Sequence, residues 1–321
     1  MTKKKMLLIS CGIICFYFSG SIYLSLQTKR NDVSIPLADS GIEPTALTVA
    51  VIGDPHLSEN LDSLLAFRSL IAQVKTANPD LVVFVGDYIK NPRDIVDITT
   101  HRQNVIDVIK LIDPIPNAIV LGNYESWSNP EEWYKSFSYA GLNVMENEAE
   151  LIETSKGLVC IRGFGDDYTG RYRYTDFPET CYDIPKISIT HDPAAAFYAD
   201  VKGLVIAGHT HCGQVSLPLF GPLWVPSKAS SKGHCGLYAD NERTVFVTSG
   251  VGTSILPIRY GAQSEWDLLY IQYQANNHSL IEPGTTGFEY LIQSMTVDQK
   301  PRQVRDFMIN NVEEARSGNA D

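Results

Sequence analysis

Five short clusters hold the residues best suited to chemistry. They read Gly53-Asp54-Pro55-His56, Gly86-Asp87-Tyr88, Gly122-Asn123-Tyr124-Glu125, Thr190-His191-Asp192 and Gly208-His209-Thr210-His211. Imidazole nitrogens, carboxylates and an amide oxygen together make a donor set for divalent zinc, iron or manganese. Neither a soft cysteine set nor an all-oxygen set is present, which argues against copper(I) and calcium. A single Gly-Asp is usually just a turn, and Gly-His-Thr-His alone could be two surface histidines. The weight lies in all five occurring in this order.

These clusters need elements to position them. Leu47 to Ile52 is a short apolar run rich in β-branched residues, which predicts a buried strand ending at Gly53. Leu61, Leu64, Leu65, Leu70, Ile71 and Val74 recur at helical spacing, Pro79 ends that helix, and Leu81–Val85 reads as the next strand. Val105, Val108, Ile109 and Ile112 make a helical stripe, Ala118–Leu121 a third strand, and residues 130–140 another helix. This alternation indicates parallel β-α-β units. The second half predicts strands at 158–163, 186–190, 203–207, 213–217, 235–239, 243–249 and 266–274, with one short helix near 194–199. That pattern suggests a second, more antiparallel sheet packed on the first. Each chemical cluster follows a strand, and in open α/β sheets sites gather beyond the carboxyl ends of the strands.

The order D-x-H, G-D-x, G-N-x-E, H-D and G-H-T-H resembles the calcineurin-like metallophosphoesterase superfamily, over about residues 47–274. Residues 208–221, with Thr248–Ser254 and Leu256-Pro257-Ile258-Arg259, resemble its bacterial membrane-associated phosphodiesterase branch. The resemblance implies an α/β fold, a metallophosphoesterase β-sandwich of two mixed sheets flanked by helices. It implies two divalent ions (manganese, iron or zinc), with Asp54, His56, Asp87 and His211 on one. Asp87, Asn123, His191 and His209 would hold the other, Asp87 bridging. Two ions roughly 3.5–4 Å apart can share a hydroxide that attacks phosphorus in line. Asp87, Asn123 and Tyr124 are the positions expected to bear most directly on the reaction.

The chain departs from the family pattern twice. Tyr124 stands where the pattern has the histidine of G-N-H-[DE], and Cys212 stands where the branch has glycine. A phenol, with a pKa of about 10, gives up its proton less readily than an imidazole near about 6.5. It can still donate a hydrogen bond. Cys212 is expected to crowd the backbone near His211. Asp192 reads as a supporting residue rather than a ligand. The Gly163-Phe164-Gly165-Asp166-Asp167 stretch reads as a surface loop, with a substrate-facing loop as the alternative.

The chain is acidic, with a net charge of −11, and carries no basic stripe of the kind nucleic-acid binding needs, so no nucleic-acid partner is expected. Lys3, Lys4 and Lys5 precede an uncharged run from Met6 to Leu26 that stops at Lys29 and Arg30. Such a run is long enough to span a bilayer, and its alternative is a cleavable signal segment. The reading is a single-pass membrane protein, with residues 1–26 as anchor or signal and a polar linker at 27–46. The domain follows at 47–295, then a polar tail at 296–321. The lysine bias favours an extracytoplasmic domain. Cys160, Cys181, Cys212 and Cys235 allow three pairings among which the sequence does not choose, and their plain reading is four free or buried thiols. The absence of a C-x-x-C pair argues against a structural zinc site. Asn277-His278-Ser279 is a formal glycosylation sequon.

The expected activity is hydrolysis of a phosphodiester or pyrophosphate at the membrane surface. A lipid-linked substrate such as a UDP-acylated sugar is one candidate. Phosphomonoester hydrolysis on protein or nucleotide is the second reading, and a catalytically weak metal-binding scaffold the third.

Overall fold

The computed structural model describes residues 12, 18–23, 26–38, 45–217, 220–229 and 233–274. The first half runs β1 (Lys29–Ala38), β2 (Thr45–Ile52), α1 (Leu61–Ala77), β3 (Leu81–Val85), α2 (Ile98–Ile109), β4 (Asn117–Val120), α3 (Asn123–Ser128) and α4 (Pro130–Tyr139). The second half runs β5 (Glu148–Thr154), β6 (Gly157–Gly163), β7 (Lys186–Ile189), β8 (Gly203–Ala207), β9 (Ser216–Leu217), β10 (Gly221–Pro222), β11 (Gly236–Ala239), β12 (Arg243–Val247) and β13 (Glu265–Gln274).

Alternation along the strands decides the layering. On β2, Val49 and Val51 face the second sheet, while Ala50 and Ile52 face the helices. On β3, Val83 and Val85 point one way, and Val82 and Phe84 the other. The inward rows meet Ile161, Ile187, Ile189 and Ile206 of the second sheet in one continuous core. The outward rows are covered by Phe67, Ile71 and Val74 of α1, Val105 and Ile109 of α2, and Trp133 and Phe137 of α4. Of the apolar positions read at helical spacing on α1, Leu70, Ile71 and Val74 bury on the sheet, whereas Leu61 and Leu65 are exposed and Phe67 completes the buried stripe. Asn60 caps that helix by accepting from the Ser63 amide, and Asn78 ends it in the left-handed region.

The first sheet has the order β1-β13-β2-β3-β4, with β2, β3 and β4 parallel. The second has the order β11-β12-β8-β7-β6-β5. A sandwich of two mixed sheets flanked by helices is thus present.

Several expectations need correction. The second sheet is parallel through β6, β7, β8 and β12, and only its two edge pairings are antiparallel. Strand 266–274 was expected there but lies in the first sheet, antiparallel to β2. The segment read as a linker contains β1, which pairs in parallel with β13 over ten residues and buries Val33 and Ile35. Its apolar positions alternate with polar ones, and Pro36 is tolerated because β1 is an edge strand. The strand read at 213–217 shortens to β9, two residues long.

The cysteines are also corrected. Cys160 pairs with Cys181, and Cys212 with Cys235. Among the described residues no helix is long and apolar enough to cross a membrane. Most of the run 6–26 lies outside those residues, as do the 296–321 tail and the sequon.

Candidate metal centre

The five clusters converge at the carboxyl ends of β2, β3, β4, β7 and β8. Backbone bonds knit these ends together: Asp54 N donates to Gly86 O at 3.1 Å, and Gly208 N to His191 O at 3.0 Å. The backbone there is unusual. Asp54, His56, Asp87, His209 and His211 all have φ between 45° and 67°, a left-handed region that non-glycine residues seldom adopt. Such strain concentrates where a fold over-determines a functional geometry. Gly122 is demanded by proximity, since a Cβ there would run into the carboxylate and amide of Asp87.

Two groups of side chains could each hold a metal ion. Asp54, His56 and His211 form one, and Asp87, His191 and His209 the other. All six are buried. His56 Nε2 lies 3.0 Å from His211 Nε2, and His191 Nε2 lies 3.1 Å from both His209 Nδ1 and Asn123 Oδ1. Asp87 reaches both groups, with Oδ2 3.7 Å from His56 Nε2 and Oδ1 3.4 Å from His191 Nε2. Every predicted ligand is therefore in the cluster.

The donor chemistry fits divalent ions. The far nitrogen of three rings meets a backbone carbonyl: His56 Nδ1 faces Ile89 O at 3.3 Å, His191 Nδ1 faces Val85 O at 2.6 Å, and His209 Nε2 faces Pro226 O at 2.7 Å. A nitrogen that donates to a carbonyl carries the proton, which leaves the other lone pair aimed at the centre. His211 differs, because its Nδ1 faces Arg259 Nη2 at 3.0 Å.

Electrostatics reflect this crowding. Burial, partly opposed by His191, pushes the Asp54 carboxyl up to about 7. Burial acts in the same direction on Asp87, but His191 and His56 overcome it and hold that carboxyl well below its usual range. Burial lowers His56 to about 4 despite the neighbouring Asp87. It also pulls His191 down, yet the charge and hydrogen bond of Asp87 and the charge of Asp54 outweigh it and raise His191.

Two supporting residues emerge only in three dimensions. Glu125 is fully buried and accepts from the amides of Asp87, Tyr88 and Gly122, each at 2.9 Å. It thereby shapes the turn that presents Asp87, and burial beside Asp87 pushes it up to about 8. Arg259, also buried, donates to the carbonyls of Ser249, Gly250 and Gly252 and packs on His211. Both lie inside quoted motifs, but residue type alone does not separate such a brace from a surface charge.

Tyr124 sits where the pattern places it. Its amide donates to Asp87 Oδ1 at 2.9 Å, its ring edge packs on His56, and its hydroxyl lies 3.1 Å from Ser254 Oγ. Burial raises its pKa further. Cys212 has φ 53°, the left-handed conformation that suits glycine. Asp192 touches no ligand side chain directly. It accepts from the Ala194 amide at 3.0 Å and from Ser227. The Gly163–Asp167 stretch is buried rather than a surface loop, and it leads to Tyr168, whose ring lies 4.7 Å from His209. A cavity of about 290 Å³ opens over Asp87, Asn123, Tyr124, His209 and His211, walled by Trp127, Tyr168, Leu223 and Trp224.

A two-sheet sandwich with paired His/Asp metal groups at its strand ends defines a metal-dependent phosphoester hydrolase. The chain belongs to the calcineurin-like phosphoesterase family, whose model matches residues 47–213. It is 28% identical to the metallophosphoesterase YkuE of Bacillus subtilis, over 75% of this chain and 83% of that protein. It is 27% identical to phosphodiesterase YaeI of Escherichia coli, over 69% and 80%. A transmembrane protein with metallophosphoesterase domain from Danio rerio is 26% identical, over 80% of this chain and 60% of that protein.

Proposed function

We propose that the chain hydrolyses a phosphodiester or pyrophosphate that carries an apolar group, at the outer surface of a membrane. Asp54, His56, Asp87 and His211 would hold one ion. Asp87, Asn123, His191 and His209 would hold the other, and manganese, iron and zinc all suit these donors. The ions supply positive charge to the phosphoryl oxygens and acidity to a bound water. The protein's own part is to fix geometry. Glu125 holds the Asp87 backbone and the Tyr124 amide holds its carboxylate, while the carbonyls of Ile89, Val85 and Pro226 keep three imidazoles facing inward. The apolar walls exclude water from the reacting phosphoryl group.

The observation that carries the substrate reading is Tyr124 at the mouth. Its raised pKa keeps the phenol protonated at neutral pH, so it donates a hydrogen bond rather than a proton. An alkoxide leaving group needs a proton as it departs, whereas a phosphate monoester leaving a pyrophosphate is already a stable anion, its second pKa being about 6. A good leaving group matches a site without an imidazole acid. YaeI, a relative described as a phosphodiesterase, is consistent with diester chemistry.

Two features support the outer location. The lysines before the apolar run favour a cytoplasmic amino terminus. The two disulfides favour an oxidising compartment. That compartment weighs against a cytoplasmic nucleotide-linked lipid such as a UDP-acylated sugar, and for a lipid diester or lipid pyrophosphate.

The test is a manganese-supplemented screen of the full chain. It compares p-nitrophenyl phosphate, bis-p-nitrophenyl phosphate, an unactivated alkyl diester and a prenyl pyrophosphate. Turnover should favour the diphosphate and the activated diester. Preference for the monoester would replace this reading with phosphomonoester hydrolysis.

A further inference from the structure

The mouth of the metal centre is bordered by side chains that a water-facing surface would not gather. Ile255 is 74% exposed, Leu223 64%, Trp224 59% and Leu256 53%, and all four line the cavity. Phe220, 83% exposed, precedes Leu223 and Trp224 on the same loop. They come from two loops that are bound to each other. The Gln214 side-chain amide donates to Leu256 O and accepts from Ser254 N, each at 2.8 Å. Contiguous exposed apolar patches mark binding surfaces.

The same corner receives the amino-terminal segment. Phe18, within the apolar run, stacks on Tyr260 with ring centroids 5.3 Å apart. Tyr260 in turn binds the loop base, its amide donating to Gln214 O at 2.9 Å and its carbonyl accepting from Ser216 N at 2.7 Å. The run then joins the domain at Ser264, where Lys29 N donates to Ser264 O at 3.0 Å. The rim loop and the segment leading from the apolar run are therefore anchored at the same base, around Tyr260.

We propose that this rim is the membrane-facing surface of the protein. Phe220, Leu223, Trp224, Ile255 and Leu256 seat in the interfacial zone of the bilayer that residues 6–26 enter. The inference rests on the anchor reading above. Tryptophan suits that zone because its ring is apolar and its N–H remains wet. The metal centre then opens onto the lipid surface. A substrate keeps its hydrocarbon portion in the membrane and presents only its phosphoryl group to the ions.

The tryptophans provide the test. The chain has four. Trp133 and Trp266 are buried in the fold, while Trp127 and Trp224 stand at the mouth. The full chain is placed in nanodiscs of phosphatidylcholine and phosphatidylglycerol, with and without bromine on the upper acyl carbons. Bromine should quench the two exposed tryptophans, up to about half of the emission if all four contribute equally. The Trp127→Phe/Trp224→Phe variant should lose that quenching, which assigns it to the rim. If the protein stays with the discs and bromine changes nothing, the anchor stands and the docking surface is wrong. If the protein leaves the discs, the anchor reading fails and the docking surface falls with it. Hydrolysis of a soluble diester on the same preparation reports the catalytic reading separately.

Discussion

At the scale of single residues, Asp87 carries the largest burden because its two oxygens face different metal groups. Asp87→Ala should remove both ions and essentially all turnover, while loss of a ligand of one group only should spare the other ion. Elemental analysis of the purified variant decides it, and retention of two ions would refute the bridging role. Tyr124 makes a sharper prediction. General acid catalysis contributes about 10²–10⁴-fold where the leaving group needs a proton. Tyr124→Phe and Tyr124→His should therefore stay within about tenfold of wild type on a pyrophosphate, and Tyr124→His should gain rate on an alkyl diester. Abolition of pyrophosphate cleavage by Tyr124→Phe would make the phenol an essential donor instead. Metal uptake should also depend on pH. Without metal the Asp54 carboxyl sits near about 7 and His191 is raised, so both hold protons that a divalent ion must displace. Asp87 is already ionised and His56, near about 4, already neutral, so neither opposes the trend. Manganese affinity should fall from pH 8 to pH 6, with proton release on binding. Calorimetry in buffers of different ionisation enthalpy measures both, and an unchanged affinity would count against these assignments.

At the scale of elements, strand ends set the site and loops hold it. The residues after β8 pass through His209, His211 and Cys212 with left-handed backbone at all three. The Cys212–Cys235 bond ties that strained turn to the start of β11. A disulfide closing a loop of this size contributes about 3 kcal/mol. Cys212→Ser/Cys235→Ser should cost that stability and also lower metal content, because His211 loses its restraint. Cys160→Ser/Cys181→Ser removes a bond rooted in β6, away from the strand-end cluster, and should lower the melting temperature with metal content intact. Equal metal content in the two variants would show that the first bond is structural only.

At the scale of the whole molecule, the proposed topology and compartment rest on the run 6–26 and the disulfides. A carboxyl-terminal reporter active only outside the cytoplasm should report activity, and the soluble part should migrate differently on reduction. An active cytoplasmic reporter would reverse the orientation and restore cytoplasmic nucleotide-linked lipids as substrates.

The clusters that gather at the centre were legible in the sequence because strand endings are short-range events, while the ligand roles assigned to them came from the resemblance to the family. An apolar run such as Leu81–Val85 followed by Gly-Asp announces both the strand and the residue it delivers. Helix α1 was legible for the same local reason, although its buried face runs through Phe67, Leu70, Ile71 and Val74 and leaves Leu61 and Leu65 exposed. What sequence could not decide was long-range pairing. β1 hid in an apparent linker because its partner β13 lies more than two hundred residues away, and only that pairing buries Val33 and Ile35. The parallel core of the second sheet, the two cysteine pairings and the bracing by Glu125 and Arg259 likewise depend on which segments become neighbours. The apolar rim is the clearest case. Leu223, Trp224 and Ile255 are unremarkable loop residues in sequence, and line one cavity beside the metal centre only when the loops fold together.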